Sequence, residues 1–208
     1  MGRVWVIVVA AGAGRRFGGA KQYDSLAGRR VLDWSLEAAR AVADGVVVVV
    51  APDHVGDDEP AADAVVAGAG TRSGSVRAGL AAVPDGAKVI VVHDGARPLA
   101  GADLFAAVVD AVRGGADAAV PGVAVDDTLR ARAGGVVDRD GLVAVQTPQA
   151  FRAAALRDAH AGGGEATDDA SLVEAAGGKV VVVDGSPTNL KITRPSDLAV
   201  AEALLRAR

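Results

Sequence analysis

Three cationic side chains follow the first apolar segment of the chain, in a loop of small residues. Val4–Val9 leads into Ala10–Gly14, and Arg15, Arg16 and Lys21 come next. Small residues let backbone N–H groups approach a phosphate closely, and the cations neutralise its charge. The loop is therefore a candidate site for a nucleoside triphosphate. The alternative is a glycine-rich turn between a strand and a helix, with its arginines in solvent.

The loop matches neither of two well-known phosphate-binding motifs. A Walker A loop requires Gly-Lys-Ser/Thr after its spacer, whereas Gly19 is followed by Ala20, Lys21 and Gln22. The dinucleotide fingerprint requires a third glycine where Phe17 stands. The acid about twenty positions further on lies inside a helical pattern rather than at the end of a second strand. Both motifs are therefore excluded.

A second candidate cluster ends the apolar segment Val89–Val92. Asp94 follows it and could supply an oxygen ligand for Mg²⁺ beside a triphosphate. Arg97 has a guanidinium suited to bidentate contact with a phosphate or a polyol. Side chains alternate along a strand, so we expect His93 to face away from Asp94 and to pack in the core. The alternative for Asp94 and Arg97 is an ordinary salt bridge in a turn.

Other polar candidates are spread over the rest of the chain. Lys191 lies in a short extended segment and could direct its ammonium toward the same crevice, although a lysine there is by itself an ordinary surface residue. Gly70–Val76 opens a helix, so its free N–H groups and the hydroxyls of Ser73 or Ser75 are available to a nucleotide base or sugar. The remaining candidates are Asp126–Thr128, Arg139, Thr147–Gln149 and Thr167–Asp168.

The candidates share several cations and one well-placed carboxylate, and they include no activated serine, cysteine or histidine. In-line transfer at a phosphorus centre needs this set, because positioning and charge neutralisation supply most of the catalysis. The substrate itself would then bring the nucleophile.

Apolar segments and helical patterns alternate along the chain. The apolar segments are Val4–Val9, Val46–Ala51, Val89–Val92, Ala118–Val120 and Val180–Val183. The helical patterns are Val31–Ala43, Ser75–Val83, Leu104–Val112, Asp169–Ala176 and Ser196–Arg206. Continuous hydrophobicity is typical of strands buried on both faces of a parallel sheet, which predicts a three-layer α/β fold. Ligands in such folds bind beyond the carboxyl ends of the strands. We also expect Ser196 to cap the last helix.

Residues 123–145 interrupt this alternation. They form short β patterns around two turn sequences, Arg132–Gly135 and Asp138–Gly141. The stretch is too polar for a core and too patterned for disorder. It predicts a β-hairpin arm that leaves the domain and packs on a partner subunit, and the alternative is a loose surface excursion.

Composition limits the class of protein. A length of 208 residues predicts a single domain, 1–208. The net charge of −4 argues against general binding to nucleic acid or to anionic membranes. There is no cysteine, and the three histidines lack ligand spacing, so a zinc site is not expected. The apolar N-terminal segment is read as a core strand rather than a signal peptide, and we expect a cytoplasmic protein.

The motifs resemble those of the 2-C-methyl-D-erythritol 4-phosphate cytidylyltransferase family, in order and over nearly the whole chain. They are Ala10–Arg16, Lys21–Tyr23, His93–Pro98, Asp127–Thr128, Asp138–Arg139, Gln146–Gln149, Thr167–Asp168 and Asn189–Pro195. The family differs from the chain at Val9, where a proline is usual, at Gly95, where an alanine is usual, and in a longer loop between Arg16 and Lys21.

The resemblance implies a Rossmann-like nucleotidyltransferase fold, a homodimer formed through the β-arm, and transfer of CMP from CTP to a polyol phosphate with Mg²⁺. It implies nucleotide binding by Ala10, Ala11, Gly12, Ala13, Gly14, Arg72 and Ser75. It implies catalytic roles for Arg16, Lys21, Lys191 and Asp94, with Asp94 also serving the metal. It implies polyol-phosphate binding by Arg97, Thr128, Arg139, Thr147 and Thr167.

Two alternatives to methylerythritol-phosphate transfer stay open at this point. One is a related cytidylyltransferase for another polyol phosphate, such as ribitol 5-phosphate. The other is a nucleotide-binding domain without turnover, which the spread of cations over four segments disfavours. The chain ends after one domain, and on that basis we expect the form without a fused cyclase.

Overall fold

The computed structural model describes residues 2–207, in which a central sheet lies between helices. The strands are β1 (Arg3–Val9), β2 (Ser25–Leu26), β3 (Arg29–Arg30), β4 (Gly45–Val50), β5 (Ala64–Ala67), β6 (Ala87–Asp94), β7 (Ala118–Ala124), β8 (Leu129–Arg130), β9 (Val136–Val137), β10 (Val143–Val145), β11 (Gln149–Arg152) and β12 (Val180–Asp184). The helices are α1 (Val31–Arg40), α2 (Arg72–Ala82), α3 (Ala102–Arg113), α4 (Ala153–Ala161), α5 (Asp169–Ala175) and α6 (Ser196–Arg206). No helix in this part of the chain is long and apolar enough to span a membrane.

The main sheet has eight strands in the order β10-β7-β11-β6-β1-β4-β5, with β12 pairing to β7. β1 pairs in parallel with β4 and β6, and β5 continues the parallel part beyond β4. β11 runs antiparallel between β6 and β7, and β10 pairs antiparallel with the end of β7. The sheet is thus mixed but mostly parallel, as predicted.

Each face of the sheet is covered by its own helices. Along β1, Val4, Val6 and Val8 pack with α1 and α3, whereas Ile7 packs with α2, α4 and α5 on the other face. This alternation is the period-two geometry of a strand buried on both sides. The three-layer α/β prediction is therefore confirmed.

Most predicted elements are present, with end shifts of a few residues. The first helix stops at Arg40 rather than at residue 43. Ser196 is not the cap that we expected: Pro195 occupies the N-cap position, and Ser196 is the first helical residue. The carboxylate of Asp197 accepts the backbone N–H groups of Thr193 and Arg194 instead, at 2.7 and 2.8 Å. Asp197 thus fixes the chain just before the helix, whereas the N–H groups of Asp197 and Leu198 bond to the carbonyls of Arg194 and Pro195.

Five elements have weak sequence signals and are not predicted from the sequence: the two-residue strands β2 and β3, and β5, β11 and α4. β11 has the sequence Gln-Ala-Phe-Arg, which lacks an apolar run, and its position depends on pairing with β6 and β7. α4 is rich in alanine, and Ala153, Leu156 and His160 are its buried residues. Its buried face follows from packing rather than from a clear apolar period.

The predicted hairpin arm is present, but fewer residues leave the main sheet than the predicted range 123–145. Residues 123–124 end β7, and residues 143–145 form β10, which pairs with them in the main sheet. The outer part contains the two-stranded ribbon of β8 and β9, which closes at Ala131–Gly135. Residues 130–145 are all exposed, including Val136 at 64%. The outer part of the arm therefore projects from the domain, and its side chains are largely exposed.

Candidate active site

A cavity of about 610 Å³ lies at the carboxyl ends of β1 and β6. Four separate segments form its wall: the loop after β1, the beginning of α2, the end of β6 and the stretch before α6. It brings together the candidate residues Ala10, Ala11, Gly12, Ala13, Gly14, Arg16, Lys21, Arg72, Ser75, Asp94 and Lys191, with Arg15 beside them. Five of the lining side chains are cationic, and Asp94 is the single acid among them.

The loop after β1 closes tightly on itself. Gly14 has φ +59°, and a Cβ at this position would collide with the carbonyl oxygen of Gly19. The carbonyl of Gly14 accepts the N–H groups of Phe17 and Gly18 at 2.8 and 3.0 Å. Only glycine adopts this conformation without strain and leaves room for the returning chain. The short connection between Arg16 and Lys21 still allows both side chains to line the cavity.

Gln22 anchors this loop, a role that we did not assign from the sequence. Its side chain is buried, and its Nε2 donates to the carbonyls of Ala10 at 2.7 Å and Gly12 at 3.3 Å. With those carbonyls held, the backbone of the loop keeps one orientation toward the cavity. The available signal was a glutamine directly beside Lys21 at the end of a glycine-rich loop.

We expect Gln22→Met to weaken binding of CTP, the nucleotide that the resemblance implies, by about tenfold. The free energy of unfolding should fall by about 1–3 kcal/mol, because the buried carbonyl of Ala10 and the carbonyl of Gly12 lose their donor. Isothermal titration with CTP and urea unfolding would measure the two effects. Unchanged CTP affinity in a destabilised variant would show that the loop keeps its shape without the amide.

Helix α2 reaches the cavity because a glycine brings it close to the sheet. A Cβ on Gly79 would lie 2.6 Å from Cγ2 of Ile7. At the helix start, Oγ1 of Thr71 accepts the N–H of Gly74 at 3.0 Å. The Ser75 hydroxyl lines the cavity but is already bonded, since it donates to the carbonyl of Thr71 at 2.9 Å. Ser73 bonds instead to the backbone of Ala166, outside the cavity.

Asp94 ends β6 and lies at the centre of a cationic group. Its Oδ2 is 2.7 Å from Nζ of Lys191 and 3.8 Å from Nε of Arg97, and its Oδ1 is 3.7 Å from Nε of Arg72. Burial acts to raise the pKa of the Asp94 carboxyl, but Lys191 and Arg72 outweigh it and lower that pKa below its usual value. Asp94 is therefore an anion at neutral pH.

His93 lies on the opposite face of β6 from Asp94, as predicted. It is fully buried, and its ring lies 4.9 Å from that of Phe105. Burial lowers the pKa of His93 to about 4, so the imidazole is neutral at physiological pH. His93 is a core residue and not a base of the cavity.

Two predicted polyol-phosphate residues, Arg97 and Thr147, lie beside the cavity without lining it. Arg97 is partly buried and donates from Nη1 to the carbonyl of Asn189 at 2.7 Å. The Thr147 hydroxyl accepts the N–H of Asp94 at 3.0 Å and lies 3.1 Å from Nδ1 of His93. Both side chains thus support the end of β6 and the segment before Lys191.

The other three predicted polyol-phosphate residues, Thr128, Arg139 and Thr167, are exposed and lie outside the cavity. Thr128 and Arg139 are on the arm, where a guanidinium nitrogen of Arg139 donates to the carbonyl of Asp126. Thr167 precedes Asp168, whose carboxylate caps α5 by accepting the N–H of Ser171 at 3.0 Å. Within one chain, these three residues therefore do not join the cavity.

Two hydrogen bonds hold the backbone at Lys191 in place. The N–H of Ile192 donates to the carbonyl of Ala96 at 2.8 Å, next to the end of β6. The Thr193 hydroxyl donates to the carbonyl of Lys191 at 3.0 Å. These bonds place the Lys191 ammonium beside Asp94, and residues almost a hundred positions apart share one site.

Lys21 lines the cavity near two other cations, Arg16 and Lys191. Burial, and then the charges of Lys191 and Arg16, lower the pKa of the Lys21 ammonium below its ordinary value of 10.5. An anion entering the cavity would favour the protonated form and offset this repulsion. The charges around Lys21 therefore favour binding of an anion, such as a phosphate, beside its ammonium.

If CTP is the ligand, as the resemblance implies, its affinity should fall as the pH rises through the lowered pKa of Lys21, because only the ammonium attracts the triphosphate. The fall should begin below the pH at which an ordinary lysine loses its proton. Lys21→Arg should flatten this alkaline limb, since a guanidinium remains protonated there. Titrations of CTP between pH 7.5 and about 10 would measure both curves. An identical alkaline limb in Lys21→Arg would contradict the assignment.

The side chains in the described part of the chain do not form a complete metal site by themselves. Within residues 2–207, no group of three or more histidine, cysteine, aspartate or glutamate residues could hold an ion. Among the residues that line the cavity, Asp94 alone offers a carboxylate. One carboxylate completed by substrate phosphates is a usual arrangement for Mg²⁺. The residues therefore fit an ion that arrives with a nucleotide.

Comparisons with known proteins agree with this fold and cavity. The family model described as 2-C-methyl-D-erythritol 4-phosphate cytidylyltransferase matches residues 4–207. The chain is 40% identical over 223 residues to the enzyme of that name from Parasynechococcus marenigrum, covering 98% of both chains. It is 45% identical over 222 residues to a bifunctional IspD/IspF enzyme from Dinoroseobacter shibae, covering 99% of this chain and 54% of the relative.

The chain spans about half the length of the bifunctional relatives that it matches. The single-domain organisation and the expected lack of a fused cyclase stay predictions.

A solved structure supports the same relationship. The crystal structure of 2-C-methyl-D-erythritol 4-phosphate cytidylyltransferase from Thermus thermophilus superposes with a TM-score of 0.84 at 40% identity, covering 99% of this chain and 100% of that one. This likeness confirms the Rossmann-like nucleotidyltransferase fold. With the match over residues 4–207, it shows that the chain belongs to the 2-C-methyl-D-erythritol 4-phosphate cytidylyltransferase family.

Proposed function

We propose that this chain transfers CMP from CTP to 2-C-methyl-D-erythritol 4-phosphate, giving 4-CDP-2-C-methyl-D-erythritol and pyrophosphate in isoprenoid precursor synthesis. The observation that carries the proposal is one cavity that collects five cations and one carboxylate from four segments. Such a cavity suits a triphosphate better than a neutral metabolite, because the charge of the ligand offsets the mutual repulsion of its walls.

The reaction requires no nucleophile from the protein. A phosphate oxygen of the polyol phosphate attacks the α-phosphorus of CTP, a new P–O–P bond forms, and the bond to the β-phosphate breaks to release pyrophosphate. Arg16 and Lys21 stabilise the charge that develops on the transferring group. Lys191, paired with Asp94, lies where it can neutralise the same group. Ala10–Gly14, Arg72 and Ser75 hold the nucleotide.

A divalent cation, Mg²⁺ or a similar one, would be held by Asp94 together with the phosphates of CTP. When bound, it would neutralise charge on the triphosphate and so favour departure of pyrophosphate. Thr147 keeps Asp94 in place through the backbone, because its hydroxyl accepts the N–H of that residue. The metal is therefore a proposed partner of one acid and of the substrate, rather than a resident ion.

We expect Asp94→Asn to lower kcat by about tenfold or more and to raise the Mg²⁺ concentration needed for half-maximal rate. The change removes the acid that lines the cavity and leaves Lys191 and Arg72 without a common counter-charge. Rates measured across a Mg²⁺ series, with excess chelator as the lower limit, would test both effects. Full activity of the unchanged protein in excess chelator would rule out a metal role.

Release of pyrophosphate from CTP, assayed with each polyol phosphate in turn, tests the proposed function. We expect turnover with methylerythritol phosphate and little with ribitol 5-phosphate, the alternative substrate. Preference for ribitol 5-phosphate would favour the related cytidylyltransferase. CTP binding without pyrophosphate release from any acceptor would indicate a nucleotide-binding domain without turnover.

We further propose a cytoplasmic homodimer in which the arm completes the site of the partner. Thr128 and Arg139 are exposed on the arm and lie away from the cavity of their own chain. A two-stranded ribbon is only marginally stable in isolation and needs a surface to pack on. The exposed Val136, Val143 and Val145 offer apolar contact area for that packing. Arg97, Thr147 and Thr167 would complete polyol-phosphate binding from the main domain.

A further inference from the structure

Two buried polar side chains lie behind Arg72, and the proposed reaction does not use them. Asp169, the first residue of α5, has 0% exposure, and its Oδ2 lies 2.7 Å from Nη1 of Arg72. Its Oδ1 lies 3.0 Å from Nε2 of His160 on α4, which is also buried. Neither Asp169 nor His160 lines the cavity.

Arg72 is held between two carboxylates. Its Nη1 bonds to Asp169 on one side, and its Nε faces Asp94 at 3.7 Å on the other. Asp169 is the nearer partner, so it sets the direction of the guanidinium. A long arginine side chain loses much rotational freedom when it binds a ligand, and prior orientation reduces that loss. Arg72 therefore faces the cavity already ordered.

His160 holds the carboxylate that orients Arg72. An ionised aspartate can only accept hydrogen bonds, so the imidazole must donate from Nε2 to Asp169. This bond fixes the tautomer and prevents rotation of the carboxylate away from Arg72. A side chain on α4 thus determines, through one on α5, the direction of a guanidinium on α2.

A simpler explanation of the ion pair is that it attaches α5 to α2. Other hydrogen bonds and ion pairs, however, already make that attachment. Nη2 of Arg77 lies 2.6 Å from Oε1 of Glu165, and Nη1 of Arg77 donates to the carbonyl of Gly164 at 2.9 Å. The Ser73 hydroxyl accepts the N–H of Ala166 at 3.3 Å. These bonds join the same segments outside the cavity, whereas Asp169 and His160 act on Arg72, which lines the cavity.

We propose that Asp169, held by His160, is a positioning residue that orients Arg72 for contact with the nucleotide. The proposal rests on the proposed function, because CTP is the ligand that Arg72 meets. It predicts that any effect of Asp169 on nucleotide binding passes through Arg72 and disappears when that guanidinium is removed.

The test is a double-mutant cycle read as the Kd of CTP, with Mg²⁺ present and no polyol phosphate. We expect Arg72→Ala and Asp169→Asn each to weaken binding by about tenfold, and the double variant to be within about twofold of the weaker single variant. Additive losses, about a hundredfold in the double variant, would overturn the proposal, because Asp169 would then act independently of Arg72.

Matched variants keep the result interpretable. Glu174→Gln removes an exposed carboxylate from the same helix and should leave the Kd unchanged. Asp169→Glu keeps the charge and should recover part of the affinity, which a purely structural role in packing would not predict. If Asp169→Asn does not fold, His160→Gln takes its place in the cycle and should weaken CTP binding only when Arg72 is present.

Failure of this inference differs from failure of the proposed function. A chain that binds CTP with additive losses, or with no loss in Asp169→Asn, contradicts only the positioning role. A wild-type chain that binds no CTP contradicts the proposed function, and the positioning role is then overturned with it.

Discussion

Arg16→Ala and Lys21→Ala should each lower kcat by at least about a hundredfold with the fold intact. Each change removes charge stabilisation that acts mainly in the transition state, an effect worth about 3–4 kcal/mol per donor in other enzymes. Both side chains line the cavity, and repulsion from Arg16 and Lys191 contributes to the lowered pKa of Lys21. Pyrophosphate release at saturating CTP and polyol phosphate measures the effect.

A cation outside the cavity serves as the control for these variants. Arg40 pairs with Asp63 on the surface near the end of α1, and Arg40→Ala should leave kcat unchanged. Its effect on stability should stay below about 1 kcal/mol, because exposed ion pairs contribute little. Turnover near the wild-type value in both Arg16→Ala and Lys21→Ala would refute the assignment of the loop to phosphate binding.

Mixing two inactive variants, Lys21→Ala and Arg139→Ala, should restore activity to about a quarter of the wild-type value. In a dimer whose arms complete the partner's sites, each mixed dimer has one site with both lesions and one with none. Random exchange makes about half of the dimers mixed, and half of their sites are intact. The exposed position of Arg139, outside the cavity of its own chain, is the structural basis of this expectation.

The mixing experiment needs proof that subunits exchange. Differently tagged subunits, recovered together after mixing, supply it, and each variant incubated alone should remain inactive. If exchange occurs and no activity returns, Arg139 acts within its own subunit, because every site would then retain one lesion. That outcome would refute the shared site while leaving the cavity assignments in place.

The sequence alone was sufficient for the strands β1, β4, β6, β7 and β12 and for the loop after β1. Continuous runs of valine and isoleucine are typical of strands buried on both faces of a sheet, and alternation then assigns each residue a face. The same rule placed His93 in the core and Asp94 on the other face, which the structure confirms. These are local properties, fixed by a period of two residues.

Elements that depend on pairing with segments distant in the sequence were not predicted. β11 is short and partly polar, and it is a strand because β6 and β7 supply its backbone partners. The roles of Gln22 and Thr147 were missed for a similar reason. Gln22 acts by bonding to carbonyls ten and twelve residues away, and the Thr147 hydroxyl acts on the backbone of Asp94. No local pattern marks such a bond.

The sequence therefore identified the groups that could do chemistry: a candidate phosphate-binding loop, a carboxylate at the end of a strand and cations on separate segments. The tertiary structure decided which of them meet. It brought the Lys191 ammonium to the carboxylate of Asp94, almost a hundred positions away in the sequence. It left Arg139 on an arm outside the cavity. Local periodicity determines which face of the sheet each residue occupies. Strand order and crossover connections determine which residues become its neighbours, and these are known only from the folded chain.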